Sequence, residues 1–152
     1  MPVADGTRPR GSRQDATTAA TLLIVELQRA THAAGVRLEA LLTDVGVSQG
    51  EAHVLALLAD GSAHTVGELQ RGLGHRPSTL SGILDRLEAR GLIRRALNQA
   101  DRRSLLIRLT RSGRDAAGTV IDVLRSVERR ALVDVAARDL AGFYVVARAL
   151  VE

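Results

Sequence analysis

The sequence predicts a mainly α-helical fold carrying a small β-hairpin wing: a winged helix-turn-helix framed by dimerisation helices at its N- and C-terminal ends. Three observations point there. Apolar residues recur at helical spacing on both sides of a glycine-containing turn in TVGELQRGLGHRPSTLSGILDRLEARG, residues 65–91. Apolar and polar residues then alternate through LIRRALNQADRRSLLIRLT, residues 92–110, about a charged tip. The arginines also concentrate over this stretch: residues 71–114 hold 11 Arg against Asp85, Glu88 and Asp101, a net of +8.

Taken in order, residues 1–18 are rich in Pro, Gly and Ser and poor in apolar side chains, which predicts a disordered tail. Its Arg8, Arg10 and Arg13 are within reach of a nucleic-acid groove only if the tail folds back, and a plain floppy end is the simpler expectation. Residues 19–47 form the first dimerisation segment. A long helix is expected from about Thr17 to Thr43, with Leu23, Leu27, Ala30, Ala34, Leu38 and Leu41 or Leu42 on its apolar face. Residues 44–47 make a loop. Residues 48–110 form the winged unit. Ser48 and Glu51 have capping-box spacing and open a second helix, closed at Asp60-Gly61. An extended segment near Ala63-His64 supplies a third strand for the wing.

Thr65 and Glu68 repeat the capping box. Gly72 and Gly74 are expected to stop that helix, and Pro77 suits the first turn of the next. Leu80, Ile83, Leu84 and Leu87 form its buried face, and Gly91 ends it. Residues 111–152 carry the C-terminal dimerisation helices. The first starts from a Thr110 or Ser112 cap and keeps its apolar period to Val135. The second starts at Ala137, with Leu140, Phe143, Tyr144, Ala147 and Leu150 inward. These helices bear more apolar surface than one small winged unit covers, so a symmetric homodimer is expected.

Composition excludes several classes. No cysteine is present, so disulfides and thiolate metal sites are out. Aromatics make up 1% of the chain, so the core must be aliphatic. No apolar run reaches the roughly 18 residues of a membrane span, and the N-terminus has no signal-peptide core. A cytoplasmic protein without membrane contact is expected. The net charge of +4 is modest, and its distribution is more informative. Residues 14–70 hold Arg29 and Arg37 against seven acids, a net of −5, beside the basic block. That asymmetry is the footprint of phosphate binding.

The helix from Pro77 presents Ser78, Gly82, Asp85, Arg86 and Ala89 opposite its buried face, flanked by Thr79, Ser81 and Arg76. Small polar side chains let a helix lie deep in a major groove, with its N-terminal residues at base edges. Alone, that face reads as simply solvated; the arginine-rich hairpin after it turns the reading to DNA, because guanidinium groups suit a narrow, negative minor groove. The expected DNA contacts are Arg71, Arg76, Ser78, Thr79, Ser81, Gly82, Arg86, Arg94, Arg95, Asp101, Arg102 and Arg103. Phosphate contacts are assigned to Arg71, Arg76, Arg94, Arg95 and Arg102.

The segments RPSTLSGILDRLEARGLIRR and DRRSLLIRLTRSGR, with SQGEAHVLALLADG before them, resemble the MarR family of winged-helix transcriptional regulators. The resemblance covers roughly residues 20–152. It implies that Arg103 reads the minor groove with Asp101 as its orienting partner, and that Ser78–Gly82 face the major groove. Gly82 departs from the family, which often carries a longer polar or basic side chain there. The resemblance also implies a dimer built by the first and last helices. Such a dimer fits double-stranded DNA with a pseudo-palindromic site whose half-sites are about 34–36 Å apart. It further implies a small-molecule effector and a repressor role; Leu27, His32, His53, Leu57 and Val66 are the candidate ligand-binding walls.

Other constellations are weaker. His32, His53, His64 and His75 share no metal-ligand spacing, although His32 and His53 are placed to face each other across a cleft. His64 and His75 flank the first helix of the turn and are within reach of phosphate. Asp85 and Glu88 read as helix-surface ion pairs with Arg86 and Arg90. No nucleophile–base pair or phosphate-binding glycine loop is visible, so no enzyme, cofactor or metal is expected. The competing reading is a winged-helix protein-interaction module with weak or no DNA binding.

Overall fold

The computed structural model describes residues 22–151. The expected tail and the expected helix start at Thr17 lie outside these residues. The chain divides between Ala34 and Gly35 into two units, through which the first helix, α1 (Leu23–Val45), runs.

In the unit up to Ala34, Leu22, Leu23, Ile24 and Val25 are all exposed, and Leu27 is half-buried. Arg29 pairs with Glu26 at 2.8 Å, the helical i,i+3 arrangement.

In the unit from Gly35, α1 contributes Leu38 and Leu42 to the core and ends at Gly46, whose φ of 72° needs glycine. The helix α2 (Gln49–Leu57) opens on a complete capping box between Ser48 and Glu51, and one 3₁₀ turn, Leu58–Asp60, follows. The two-residue strand β1 (His64–Thr65) leads into α3 (Val66–Leu73), which opens on a second complete box between Thr65 and Glu68. Next come α4 (Pro77–Ala89) with Pro77 in its first turn, then β2 (Ile93–Leu97) and β3 (Leu105–Leu109). The helices α5 (Arg111–Ala131) and α6 (Ala137–Ala149) complete the described chain.

The sheet is antiparallel in the order β1-β3-β2, with Ile93 opposite Leu109, Leu97 opposite Leu105, and His64 opposite Ile107. The third strand foreseen near His64 is therefore present. Its partner β3 is the central strand, and Ile107 at its middle is fully buried. One aliphatic core joins Leu42, Val54, Leu55, Leu69, Leu80, Leu84, Leu87, Ile107 and Val120, each below 2% exposure. Burying one such side chain is worth about 1.5–3 kcal/mol, so aromatics are not needed to hold this unit together.

Three expectations are corrected. Gly72 lies inside α3, and only Gly74, at φ 64°, ends that helix. A Cβ on Gly72 would meet Leu57 Cδ2 at 3.1 Å, so its small size serves the packing of α3 on α2. The helix α5 stops at Ala131, not at Val135, because the chain turns at Leu132 to start α6. Phe143, Tyr144 and Leu150 are exposed by about half, not inward. No residue of α6 is fully buried among the described residues: Leu140 and Ala147 are half-buried, and its other large apolar side chains are exposed.

The junction between wing and α5 is the tightest approach in the unit. Thr110 donates its N–H to the Leu92 carbonyl at 3.0 Å and its hydroxyl to the Gly91 carbonyl at 2.7 Å. The same hydroxyl accepts the Gly113 N–H at 3.0 Å and caps α5. A Cβ on Gly113 would fall 1.8 Å from the Leu92 oxygen, so only glycine allows α5 to start this close to the end of α4.

Candidate nucleic-acid interface

The surface is assembled from three elements. At the end of α3, Arg71 is exposed, and Gly74 turns the chain into α4. At the start of α4, Arg76, Ser78, Thr79 and Ser81 are all exposed. Leu80, Ile83, Leu84 and Leu87 are buried beneath them, so the helical period fixes which way the hydroxyls face. The free N–H groups and positive dipole end of α4 lie among these residues, which favours an anion there. Gly82 is half-buried, and a Cβ there would meet Arg86 Nη1 at 3.6 Å. That is an ordinary van der Waals distance, so the Arg86 guanidinium lies beside this position without requiring glycine there.

The wing tip is a preformed turn. Asn98 N–H donates to the Ser104 carbonyl at 3.1 Å, and the Asn98 amide donates to Ser104 Oγ at 3.0 Å. Asn98 Oδ1 accepts the Ala100 N–H, and Asp101 Oδ1 accepts the Arg103 N–H at 3.1 Å. The Asp101 carboxylate thus holds the backbone of Arg103, and among the described residues it makes no ion pair with the Arg103 guanidinium. Arg102 and Arg103 are exposed beyond it, as is Arg94 on β2.

Three arginines stand apart. Arg86 Nε lies 3.4 Å from Oε1 of Glu51, while Arg90 Nη1 lies 3.5 Å from Oε2. Arg95 Nη2 donates to Asp85 Oδ1 at 2.6 Å, and its Nε lies 3.4 Å from Glu88 Oε2. The pairing expected within α4 is therefore replaced by pairing across elements. Asp85 and Glu88 hold β2, while Arg86 and Arg90 hold α2. Side chains seven or more residues apart, on different elements, meet only once the fold is formed, which is why helical spacing did not reveal these pairs.

Glu51 is the buried acid of the unit, with its side chain 6% exposed. Burial alone, the largest influence, would raise its pKa. Hydrogen bonds at Ser48, then the charges of Arg90 and Arg86, outweigh that and hold it below the usual carboxylate value. A depressed folded-state pKa gives stability that is present above the unfolded-state pKa and lost as pH falls through the folded one. Glu51→Gln is expected to lower the melting temperature at neutral pH and to flatten the loss of stability on acidification. Melting curves from pH 7 down to pH 3 check both; parallel curves for the two proteins would remove Glu51 from the acid response.

The histidines are placed as follows. His53, half-buried on α2, has its pKa lowered by burial first and by nearby His75 second. His75 Nε2 is buried and has no hydrogen-bond partner among the described residues. His64 sits against Ser62 Oγ at 2.7 Å and near Asp60, engaged within its own turn. Among the described residues no group of three or more His, Asp or Glu side chains is placed to hold a metal. No helix among them is long and apolar enough to cross a membrane.

Of the candidate effector walls, His32 lines an open depression with Glu26, Arg29, Ala30 and Ala33, all before Gly35. Val66 lines a groove beside the wing with Asn98, Asp101 and Arg103. Leu57 packs toward Gly72. A more apolar cavity of about 400 Å³, missed in the sequence, lies between α1 and α5. It is lined by Ala40, Leu41, Val127 and Ala131, with Arg37 and Arg130 among them. No sequence period links residues of two separate helices, so that cavity had no local signal.

The model of the MarR family matches residues 47–105, which span α2 to the start of β3. The chain is 31% identical over 131 residues to the HTH-type transcriptional regulator TtmR of Methylorubrum extorquens, covering 80% of this chain and 67% of that protein. The chain belongs to the MarR family. It is also 29% identical over 127 residues to the HTH-type transcriptional regulator YdgJ of Bacillus subtilis, covering 76% of each. The fold matches the crystal structure of CouR from Rhodococcus jostii bound to p-coumaroyl-CoA, with a TM-score of 0.77 and 22% identity. That match covers 82% of this chain and 88% of the other. As a member of the MarR family the chain is a winged-helix DNA-binding transcriptional regulator, and the protein-interaction module is not the favoured reading.

Proposed function

We propose that the protein works as a homodimer on double-stranded DNA with a pseudo-palindromic site, as a ligand-responsive repressor in the cytoplasm, and catalyses no reaction. The exposed apolar side of α6 carries this reading. Phe143, Val146 and Leu150 share one face at i, i+3 and i+7 and are each at least 40% exposed, and a second copy related by a two-fold axis covers such a face with an identical one. Two reading helices then address two half-sites about one helical turn apart. Arg71, Arg76, Arg94 and Arg102 supply phosphate contacts. Ser78, Thr79 and Ser81 meet base edges, and Arg103 enters the minor groove.

The cavity between α1 and α5 supports the effector. Its aliphatic walls and two arginines suit a small amphipathic anion, and CouR is a family structure that holds a ligand. Since α5 leaves directly from the wing, a ligand that favours one α1–α5 spacing also favours one spacing of the reading heads.

Sedimentation of the protein and a salt series on duplex DNA test the core of this reading. The expected result is a particle of twice the chain mass whose affinity falls steeply with salt, because each neutralised phosphate releases counterions. A monomer, or a salt-independent interaction, would defeat it.

A further inference from the structure

We propose that Arg95 is a positioning residue: held by Asp85 and Glu88, it locks the wing to the reading helix and so sets the register between minor-groove and major-groove contacts without itself touching DNA. The inference rests on the DNA-binding reading above and assigns a different task to an arginine that the sequence placed among the phosphate contacts.

Arg94 and Arg95 are neighbours on β2, and strand alternation sends them to opposite faces. Arg94 is exposed; the Arg95 side chain is 26% exposed and turned toward α4. Asp85 and Glu88 stand one turn apart on α4, on the side that meets β2, and both carboxylates reach the same guanidinium. Its Nε is buried, at ion-pair distance from Glu88 but off the line of a hydrogen bond. The cluster of one arginine and two carboxylates carries a net charge of −1. A phosphate approaching Arg95 would have to displace those carboxylates and desolvate beside them, which makes this the least favourable arginine of the basic block for backbone contact.

The placement explains what the clamp does. The hairpin leaves α4 through Gly91, a glycine in the left-handed region, and returns to α5 at Thr110. Those anchors fix the base of the wing. Arg95 lies two residues beyond Ile93, the first residue of the strand, and is opposite Ile107 in the register, so it ties the middle of the hairpin to the flank of α4. On the other side of the same helix, Glu51 holds Arg86 and Arg90 to α2. The reading helix is thus held by ion pairs on two flanks, and Arg95 is the pair that reaches the wing.

The test uses full-length protein, a duplex selected by the wild type from a randomised library, and sheared mixed-sequence duplex, each over a salt series. Arg95→Gln is expected to weaken binding to the selected duplex about tenfold. Its affinity for mixed-sequence DNA should stay close to wild type, and its salt slope should change by much less than the roughly 1.8 that one lost phosphate contact per protomer of a dimer carries. Arg94→Gln should show that slope change. Asp85→Asn with Glu88→Gln should also lower the ratio of selected to mixed-sequence affinity, although it removes two negative charges near DNA. Combining it with Arg95→Gln should cost no further discrimination, as coupled residues require. If Arg95→Gln fails to fold, Arg95→Lys, which keeps one ion pair, should give an intermediate loss.

A slope change in Arg95→Gln equal to that of Arg94→Gln would overturn the proposal and make Arg95 a phosphate contact. Unchanged affinity for the selected duplex would overturn it as well. Failure of the wild type to bind any duplex would instead remove the DNA-binding reading on which the proposal stands.

Discussion

Replacing Arg103 with alanine is expected to weaken binding to the preferred duplex by about 1–3 kcal/mol, roughly fivefold to more than a hundredfold. The melting temperature should not move. The reason for both lies in the tip: its turn is closed by the side chains and backbone of Asn98, Asp101 and Ser104, and the Arg103 side chain takes no part in that closure. Removing the guanidinium therefore subtracts a groove contact and leaves its platform intact. Asp101→Ala should act differently. It frees the Arg103 N–H, loosens the tip, and weakens binding through disorder of a side chain that is still present. Gel-shift titrations with both variants, beside thermal melts, separate the two. An Arg103→Ala protein that binds its preferred duplex like wild type would take the wing out of the interface.

Gly113→Ala is expected to destabilise the protein by about 3 kcal/mol, at the upper end of overpacking effects. For a chain of this size that corresponds to a fall in melting temperature of about 10 °C. The added carbon would lie 1.8 Å from the Leu92 carbonyl oxygen, and Leu109 Cδ2 closes the site at 3.3 Å. The obstruction is backbone, so no rotamer change relieves it. Either α5 moves away from the end of α4, losing the Thr110 bonds to Gly91 and Leu92, or the wing shifts with it. DNA affinity should fall even at temperatures where the variant stays folded, because the same junction sets the wing against the reading helix. A melting temperature within a degree or two of wild type would show that the junction tolerates the displacement, and the argument from close approach would fail.

The local features were written in the sequence because each depends on residues within a turn or two of one another. Both capping boxes, at Ser48–Glu51 and Thr65–Glu68, formed as spaced. The buried face of α4 consists of the four residues its period named. Thr110 caps α5, and the segment at His64 joins the sheet. The hydroxyls and arginines proposed for DNA contact are exposed for the same reason: burying their neighbours leaves them only the outside.

What the tertiary structure decided is the partnership of charges and the meaning of small residues, both of which depend on elements that meet only after folding. Arginines that look alike in a basic run divide into those with no ion pair among the described residues, such as Arg94, Arg102 and Arg103, and those already held, Arg86 and Arg90 by Glu51 and Arg95 by Asp85 and Glu88. Gly72 looked like a helix stop and is a packing surface for Leu57; Gly113 is the point where α5 touches the backbone of Leu92. The apolar period of α6 was correctly seen but assigned inward, because a period states which residues share a face and not what covers it. Charge pairing and close packing act over a few ångströms of space whatever the separation along the chain, and only coordinates supply that distance.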